Sequence, residues 1–296
     1  MPSLSNNASL PRLPTIEFPS YLEFLKLKSF PLKTFPPVNQ PKKLTKDTLY
    51  IYGPGNEKFN DSFDVDCLQI QTYFKFCNID VDICYSNEPA ASPTNKLPYL
   101  ATVVGKLFAG SQINDWIKDN VKQKQIIDKD ISLGDHKDEA IAFISMIKSK
   151  LHSAWLFSIW LEPLNYNQNT VKVYYGHNPA PIDKIMGSQK KDEIVQSLLA
   201  DRDILTREEI YSDAAIVLES LSNKLGDCDY FFGFEEPTWM DAVVFSYLHI
   251  ILSHPQIKKS DIPKEEKNQA TTLKKLVQKH DNLVQYAKQI CRTYFE

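Results

Sequence analysis

Residues 236–252 read EPTWMDAVVFSYLHIIL, and no other stretch constrains the architecture of the chain as strongly. Thr238 can cap a helix by accepting from the amide three residues on, and the Asp241 carboxylate can reach back to the Thr238 amide. Apolar residues then lie all round the predicted helix, so we expect it to be buried. We interpret Thr238 and Asp241 as a structural fold motif and not as catalytic residues, because capping occupies the carboxylate oxygens.

The sequence on both sides of this helix also has helical periodicity. Residues 137–162 predict one long helix that Pro163 ends, and residues 190–225 and 273–295 predict further helices, the former with a break near 201–206. Residues 165–187 hold several Asn, Gly and Pro and are expected to be an irregular excursion. We therefore predict an all-helical domain over residues 122–296.

Residues 48–121 instead mix strand and helix patterns. Asp64 and Asp66 are placed to cap a helix, and Ser111 begins another. Stretches with strand character lie at 48–52, 80–85, 102–104 and 106–109. A helix between two strands requires a parallel pair, whereas the closing hairpin is antiparallel. This order predicts a thioredoxin-like domain, so the fold class is α/β followed by all-α.

Residues 1–47 predict a basic, proline-rich arm. Residues 1–43 hold six Lys or Arg and two Glu, a net charge of +4, although the whole chain carries −3. The apolar residues of the arm are too many for a free linker, so part of it is expected to pack on the body or on a partner. The overall charge is not that of a nucleic-acid-binding protein.

Several kinds of chemistry are excluded by the motifs that the sequence lacks. It has no GxGxxG or GxxxxGK[ST], no CxxC among its five cysteines, and no HxxxH or HExxH. We therefore expect no metal, no cofactor and no catalytic residue. His249 lies inside the predicted buried helix and is expected to be a satisfied core or pocket histidine.

The expected location follows from similar considerations. No apolar run reaches the roughly 20 residues that span a bilayer. The first residues resemble neither a secretory signal nor an amphipathic presequence. We expect the protein to lie in the cytosol or to attach to a membrane from the cytosolic side.

Particular stretches resemble the metaxin family. Leu49–Gly53, Asp64–Ile79 and Asn95–Leu100 resemble the metaxin N-terminal half, and Glu236–Leu252 resembles the metaxin C-terminal signature. Residues 30–37 resemble the start of the fungal metaxin-2-like members, which are thirty-five-kilodalton peripheral subunits of the mitochondrial sorting and assembly machinery. The resemblance implies a glutathione-transferase-like fold, in which Pro98 is cis and Ser111 opens a helix beside the glutathione site.

The same resemblance suggests that glutathione chemistry is lost. A transferase needs a Tyr, Ser or Cys near the end of the first strand to hold the thiolate, and Tyr52 is the residue available there. In the family of transferases, an acidic residue before the helix-opening serine binds the glutathione amino group. Gly110 stands at that position here.

The resemblance implies a non-enzymatic peripheral subunit of the outer-membrane sorting and assembly complex, on the cytosolic face of mitochondria, that helps recognise and insert β-barrel precursors. The implied partners are a membrane-embedded β-barrel insertase subunit, a second metaxin-like subunit, the precursors and the outer-membrane surface. We assign part of the docking surface to the arm, with Phe30, Lys33 and Phe35 as candidate contacts. Two alternatives stay open, namely a glutathione-dependent transferase or reductase and a cytosolic scaffold with the same fold.

Overall fold

The computed structural model describes residues 44–55, 58–120, 134–200, 202–253 and 262–296. Within it, Leu44–Glu296 form one unit, which begins slightly before the predicted domain start at residue 48. Residues 1–43, which make up most of the predicted arm, and the predicted domain boundary at residues 121 and 122 lie outside the described residues. These boundaries therefore stay predictions.

A mixed four-stranded sheet organises the α/β half, in the order β2-β1-β3-β4. Strand β1 is parallel to β2 and antiparallel to β3, and β3 is antiparallel to β4. This topology confirms the predicted thioredoxin-like sheet. The elements are β1 (Thr48–Ile51), α1 (Val65–Phe76), β2 (Asp82–Tyr85), β3 (Tyr99–Ala101), β4 (Leu107–Ala109) and α2 (Ser111–Asn120), with a short 3-10 turn at Pro89–Ala91.

The hairpin between β3 and β4 lies in a different register from the predicted one. Residues 102–104 were expected to form a strand, but they belong to the turn. The Thr102 N–H donates to the Lys106 carbonyl (2.9 Å), which closes the turn, and Gly105 has a φ of +82° that favours glycine. The third strand therefore comes earlier, immediately after Pro98.

The helical half begins with a long helix, α3, over residues 137–161, which confirms the predicted helix ended by Pro163. In α3, Lys137–Met146 and His152–Leu156 are α-helical, and Ile147–Leu151 and Phe157–Leu161 are π-helical. The later helices are α4 (residues 163–175), α5 (Ile182–Leu199), α6 (Arg207–Leu225), α7 (Trp239–Ser253), α8 (Lys264–Ala270), α9 (Thr272–Gln278) and α10 (Asp281–Tyr294). The break between α5 and α6 agrees with prediction, whereas the single helix predicted over 273–295 is divided into α9 and α10.

The predicted irregular excursion at 165–187 is wrong, because most of it is helical. Helix α4 comprises α-helical Pro163–Asn165 and Val171–Tyr175 with a π-helical turn between them, and α5 begins at Ile182. One of the polar side chains that suggested a loop, Asn165, is buried and hydrogen-bonded. Asn165 Nδ2 donates to the carbonyls of Ser158 (2.8 Å) and Ala270 (3.0 Å), so tertiary contacts outweigh the weak helix propensity of asparagine.

The two halves share one hydrophobic core, in which α1 of the α/β half packs on α7 of the helical half. Helix α7 is buried on nearly all sides, as its sequence predicted, and Phe245 and Leu248 are fully inaccessible. Among the described residues, no helix is both long and apolar enough to cross a bilayer.

Candidate functional site

The cap of α7 is a buried hydrogen-bond network centred on the Asp241 carboxylate. Its Oδ2 accepts from the Thr238 amide (2.8 Å), as the spacing predicted. The Thr238 hydroxyl also donates to Oδ2 (2.8 Å), whereas the predicted hydrogen bond from the amide three residues on to this hydroxyl is not found among the described residues. Oδ1 accepts from the Phe231 amide (3.0 Å) and from the Tyr286 hydroxyl (2.9 Å). Burial raises the pKa of Asp241, although these hydrogen bonds act in the opposite direction.

A cleft of about 600 Å³ lies at the junction of the two halves. Pro98 and Ser111 both line it, and the Leu97–Pro98 peptide is cis, as the resemblance implied. The charged residues that line it are Asp66 from α1, Lys96 from the loop before β3 and Lys148 from α3. The resemblance implies a glutathione site beside Pro98 and Ser111, and this cleft is where those two residues meet.

The residue before Ser111 also lines the cleft and differs from the transferase pattern. Gly110 has a φ of +58°, a backbone conformation that side chains rarely adopt. A Cβ at this position would meet nothing within 4 Å, so space does not prevent an acidic side chain. The backbone conformation of Gly110 therefore disfavours the carboxylate that would pair with the amino group of glutathione.

Tyr52, the residue available to hold a thiolate, follows β1 and packs away from the cleft. Its ring lies against Phe63 (5.6 Å between centroids) and against the edge of Tyr174 (5.3 Å). Burial, together with the nearby Asp64 carboxylate, raises the pKa of Tyr52 well above its usual range. Tyr52 is not among the described residues that line the cleft. Its surroundings are those of a packing residue.

Asp64 joins the two halves through a hydrogen bond that the sequence did not indicate. Its Oδ1 caps α1 by accepting from the Cys67 amide (3.1 Å), as predicted, and its Oδ2 accepts from the Tyr174 hydroxyl of α4 (3.0 Å). Burial and the neighbouring Asp66 carboxylate raise the pKa of Asp64 to about 6. Tyr174 was missed because it falls in the segment that composition assigned to an irregular excursion.

Replacing Tyr174 with phenylalanine is expected to lower the free energy of unfolding by about 1–2 kcal/mol, because Asp64 loses one of its donors in a desolvated position. Chemical denaturation with urea measures this change. Tyr175→Phe is the matched control, since the Tyr175 hydroxyl makes no hydrogen bond among the described residues and should cost only a few tenths of a kcal/mol. Equal losses in the two variants would contradict the assigned role.

His249 forms a second connection between the halves. Its Nε2 lies 2.6 Å from Asp61 Oδ2, and Asp61 belongs to the loop between β1 and α1. This contact confirms the prediction of a satisfied histidine. Burial lowers the pKa of His249, but hydrogen bonds with Asp61 and Cys291 outweigh that effect and raise it to about 9.

The structure brings together only some of the residues selected from the sequence. Pro98 and Ser111 meet at the cleft, whereas Thr238 and Asp241 cap a buried helix. The candidate partner contacts Phe30, Lys33 and Phe35 lie outside the described residues. Lys148 was not anticipated, because nothing in the local sequence links a residue of α3 to the loop before β3.

Comparison with known sequences identifies related proteins. A family model described as "Outer mitochondrial membrane transport complex protein" matches residues 67–191, and one for the C-terminal domain of glutathione S-transferase matches residues 214–290. Metaxin-1 of Mus musculus is 29% identical over 64% of this chain and 61% of that protein. A metaxin-1 homolog of Caenorhabditis briggsae is 31% identical over 66% of this chain and 61% of its own length. Metaxin-2 of Mus musculus is 26% identical over 77% of this chain and 81% of that protein.

Similarity to the metaxin-1 relatives thus spans about three fifths of their length. Among solved structures, a glutathione transferase from Phanerochaete chrysosporium aligns with a TM-score of 0.47 and 12% identity over 81% of this chain and 98% of its own. The glutathione-transferase-like domain of elongation factor 1-gamma from Saccharomyces cerevisiae aligns with a TM-score of 0.43 and 13% identity over 85% and 91%.

The two family models together match residues 67–191 and 214–290, a range that holds the α/β half from α1 onward and much of the helical half. The similarity to mouse metaxin-1 and metaxin-2 covers 64% and 77% of this chain. The chain is thus similar to the metaxins over about two thirds of its length, it matches the family model of outer mitochondrial membrane transport complex proteins over residues 67–191, and its fold is glutathione-transferase-like.

Proposed function

We propose that this chain is a non-enzymatic peripheral subunit of the mitochondrial outer-membrane sorting and assembly complex, and that it helps recognise and insert β-barrel precursors. The observation that carries the non-enzymatic part is the position of Tyr52, packed against Phe63 and Tyr174 and away from the cleft. The similarity to the metaxins and to the family model of outer mitochondrial membrane transport complex proteins supports the proposed place in the complex.

The composition of the cleft argues against the alternative of a glutathione-dependent enzyme. Gly110 offers no carboxylate to the amino group of glutathione. The acid among the described residues that line the cleft is Asp66, which lies on α1 and not at the position before Ser111. Losing a charge-assisted hydrogen bond costs about 1.5–3 kcal/mol, or roughly ten- to a hundredfold in affinity.

We expect isothermal titration calorimetry to detect no saturable binding of glutathione at millimolar concentration. An active glutathione transferase titrated in parallel provides the positive control. Saturable binding together with a thiolate absorbance that disappears in Tyr52→Phe would overturn the non-enzymatic assignment.

The proposed partners are a membrane-embedded β-barrel insertase subunit, a second metaxin-like subunit and the precursors, on the cytosolic face of the outer membrane. Within the family we propose a metaxin-2-like subunit, which is supported by the match to 81% of mouse metaxin-2. Purification of the tagged chain from mitochondria, followed by mass spectrometry of its partners, tests both proposals. Recovery in the cytosolic fraction without outer-membrane partners would support a cytosolic scaffold instead.

We assign part of the docking surface to the arm, on the basis of its mixture of aromatic and basic residues. Replacing Phe30, Lys33 and Phe35 with alanine should reduce co-purification with the barrel subunit, whereas alanine at Asn6 and Asn7 should not. Full co-purification of the triple variant would refute this assignment.

A further inference from the structure

Strand β4 lies at an edge of the sheet, and its outer side has no neighbouring strand among the described residues. Because the Thr102 N–H donates to the Lys106 carbonyl, the antiparallel alternation pairs Phe108 with Leu100 through the backbone. Leu107 lies between Lys106 and Phe108, so its N–H and C=O groups point outward, away from β3. They are available to hydrogen-bond with another extended chain.

The tip of the β3–β4 hairpin exposes apolar side chains beside this edge. Val103, Val104 and Leu107 are 52%, 80% and 45% exposed. The opposite edge of the sheet, β2, is different, because Lys46 forms ion pairs with Asp80 and Asp82 there. Charges of this kind discourage strand addition. The β4 edge is thus the more receptive of the two edges.

A groove of about 370 Å³ lies between this edge and α2. Half-buried Phe108 and buried Trp116 give it an apolar surface. Asp115 and Asp119, one turn apart on α2, line it and are exposed, and with exposed Lys106 also lining it the acids outnumber the bases by two to one. Two like charges at this spacing destabilise each other slightly, so a cation from a partner would be favourable here.

We propose that the β4 edge and this groove, together the β4 docking surface, bind an extended strand of a partner polypeptide as a fifth strand of the sheet. The strand would have alternating apolar residues and a Lys or Arg that reaches Asp115 and Asp119. Main-chain hydrogen bonds to Leu107 supply affinity, and the acidic groove supplies specificity. The inference rests on the proposed function, because strands of β-barrel proteins carry such alternation.

The test is a charge swap on the full-length chain, measured by fluorescence anisotropy of short labelled peptides. One peptide alternates apolar and polar residues around a central Lys, a second has Glu at that position, and a third has Pro there. The Lys peptide should bind about tenfold more tightly than the Glu peptide, and the Pro peptide should not bind. Asp115→Lys with Asp119→Lys should reverse the preference between the first two.

Glu219→Lys is the matched control, since Glu219 is also an exposed helical acid, on α6, and should leave both affinities unchanged. Equal binding of the three peptides, or an unchanged preference in the charge-swap variant, would overturn the inference. A failed swap in a chain that still co-purifies with outer-membrane partners would refute the β4 docking surface alone. A successful swap in a chain recovered only from the cytosol would refute the proposed function alone.

Discussion

Asp241→Ala is expected to lower the free energy of unfolding by about 3–5 kcal/mol. The carboxylate accepts from the amides of Thr238 and Phe231 and from the Tyr286 hydroxyl, and it is fully buried. Its removal deletes the cap of α7, at about 1 kcal/mol, and leaves buried donors without an acceptor, at about 1–3 kcal/mol each where relaxation cannot restore a partner. Urea denaturation followed by circular dichroism gives the value, provided that the transition is two-state.

Asp281→Ala is the matched control for this prediction. Asp281 also lies in the first turn of a helix, α10, but it is exposed. Its loss should cost a few tenths of a kcal/mol, as expected for an exposed charge at a helix N-terminus. If the two variants were equally stable, the Asp241 network would not hold α7 in place, and the proposed motif would be no more than a local cap.

The same network shows how far sequence reasoning extends. The reach from Asp241 back to Thr238 spans three residues, so local helix geometry predicts it. Phe231 and Tyr286 are ten and 45 positions away from Asp241, and no periodicity connects them with it. The cap can therefore be predicted from the sequence of one segment. The other donors to the same carboxylate depend on how distant segments pack.

The junction between the halves follows the same rule. Asp64 was one of the two acids expected to cap α1, yet its second partner, Tyr174, lies in a segment whose Asn and Gly content indicated a loop. Asn165 accounts for that error, because its amide donates to two buried carbonyls and so fits inside a packed helix. Pro98 and Ser111 could be placed at the cleft through the resemblance, whereas Lys148 became visible only when α3 was seen to border it.

The stability of the chain is expected to fall by about 3 kcal/mol as the pH rises from about 6.5 to 9, owing to His249. The pKa of His249 is raised to about 9 in the folded chain, against about 6.5 for an ordinary histidine. Below pH 6.5 both states hold the proton, so the full benefit of the Asp61 pair is present. Between the two pKa values only the folded state keeps it, and the benefit is lost as the pH rises through 9.

Urea denaturation at a series of pH values measures this dependence, and the histidine contribution is the difference between the wild-type profile and that of His249→Gln. The difference should be largest at the acidic end of the range and should vanish above about pH 9. His177→Gln is the control, because His177 is exposed and should leave the profile unchanged. A difference that grows with pH would mean that His249 is held neutral against Asp61, and the two halves would then be joined by a hydrogen bond without an ion pair.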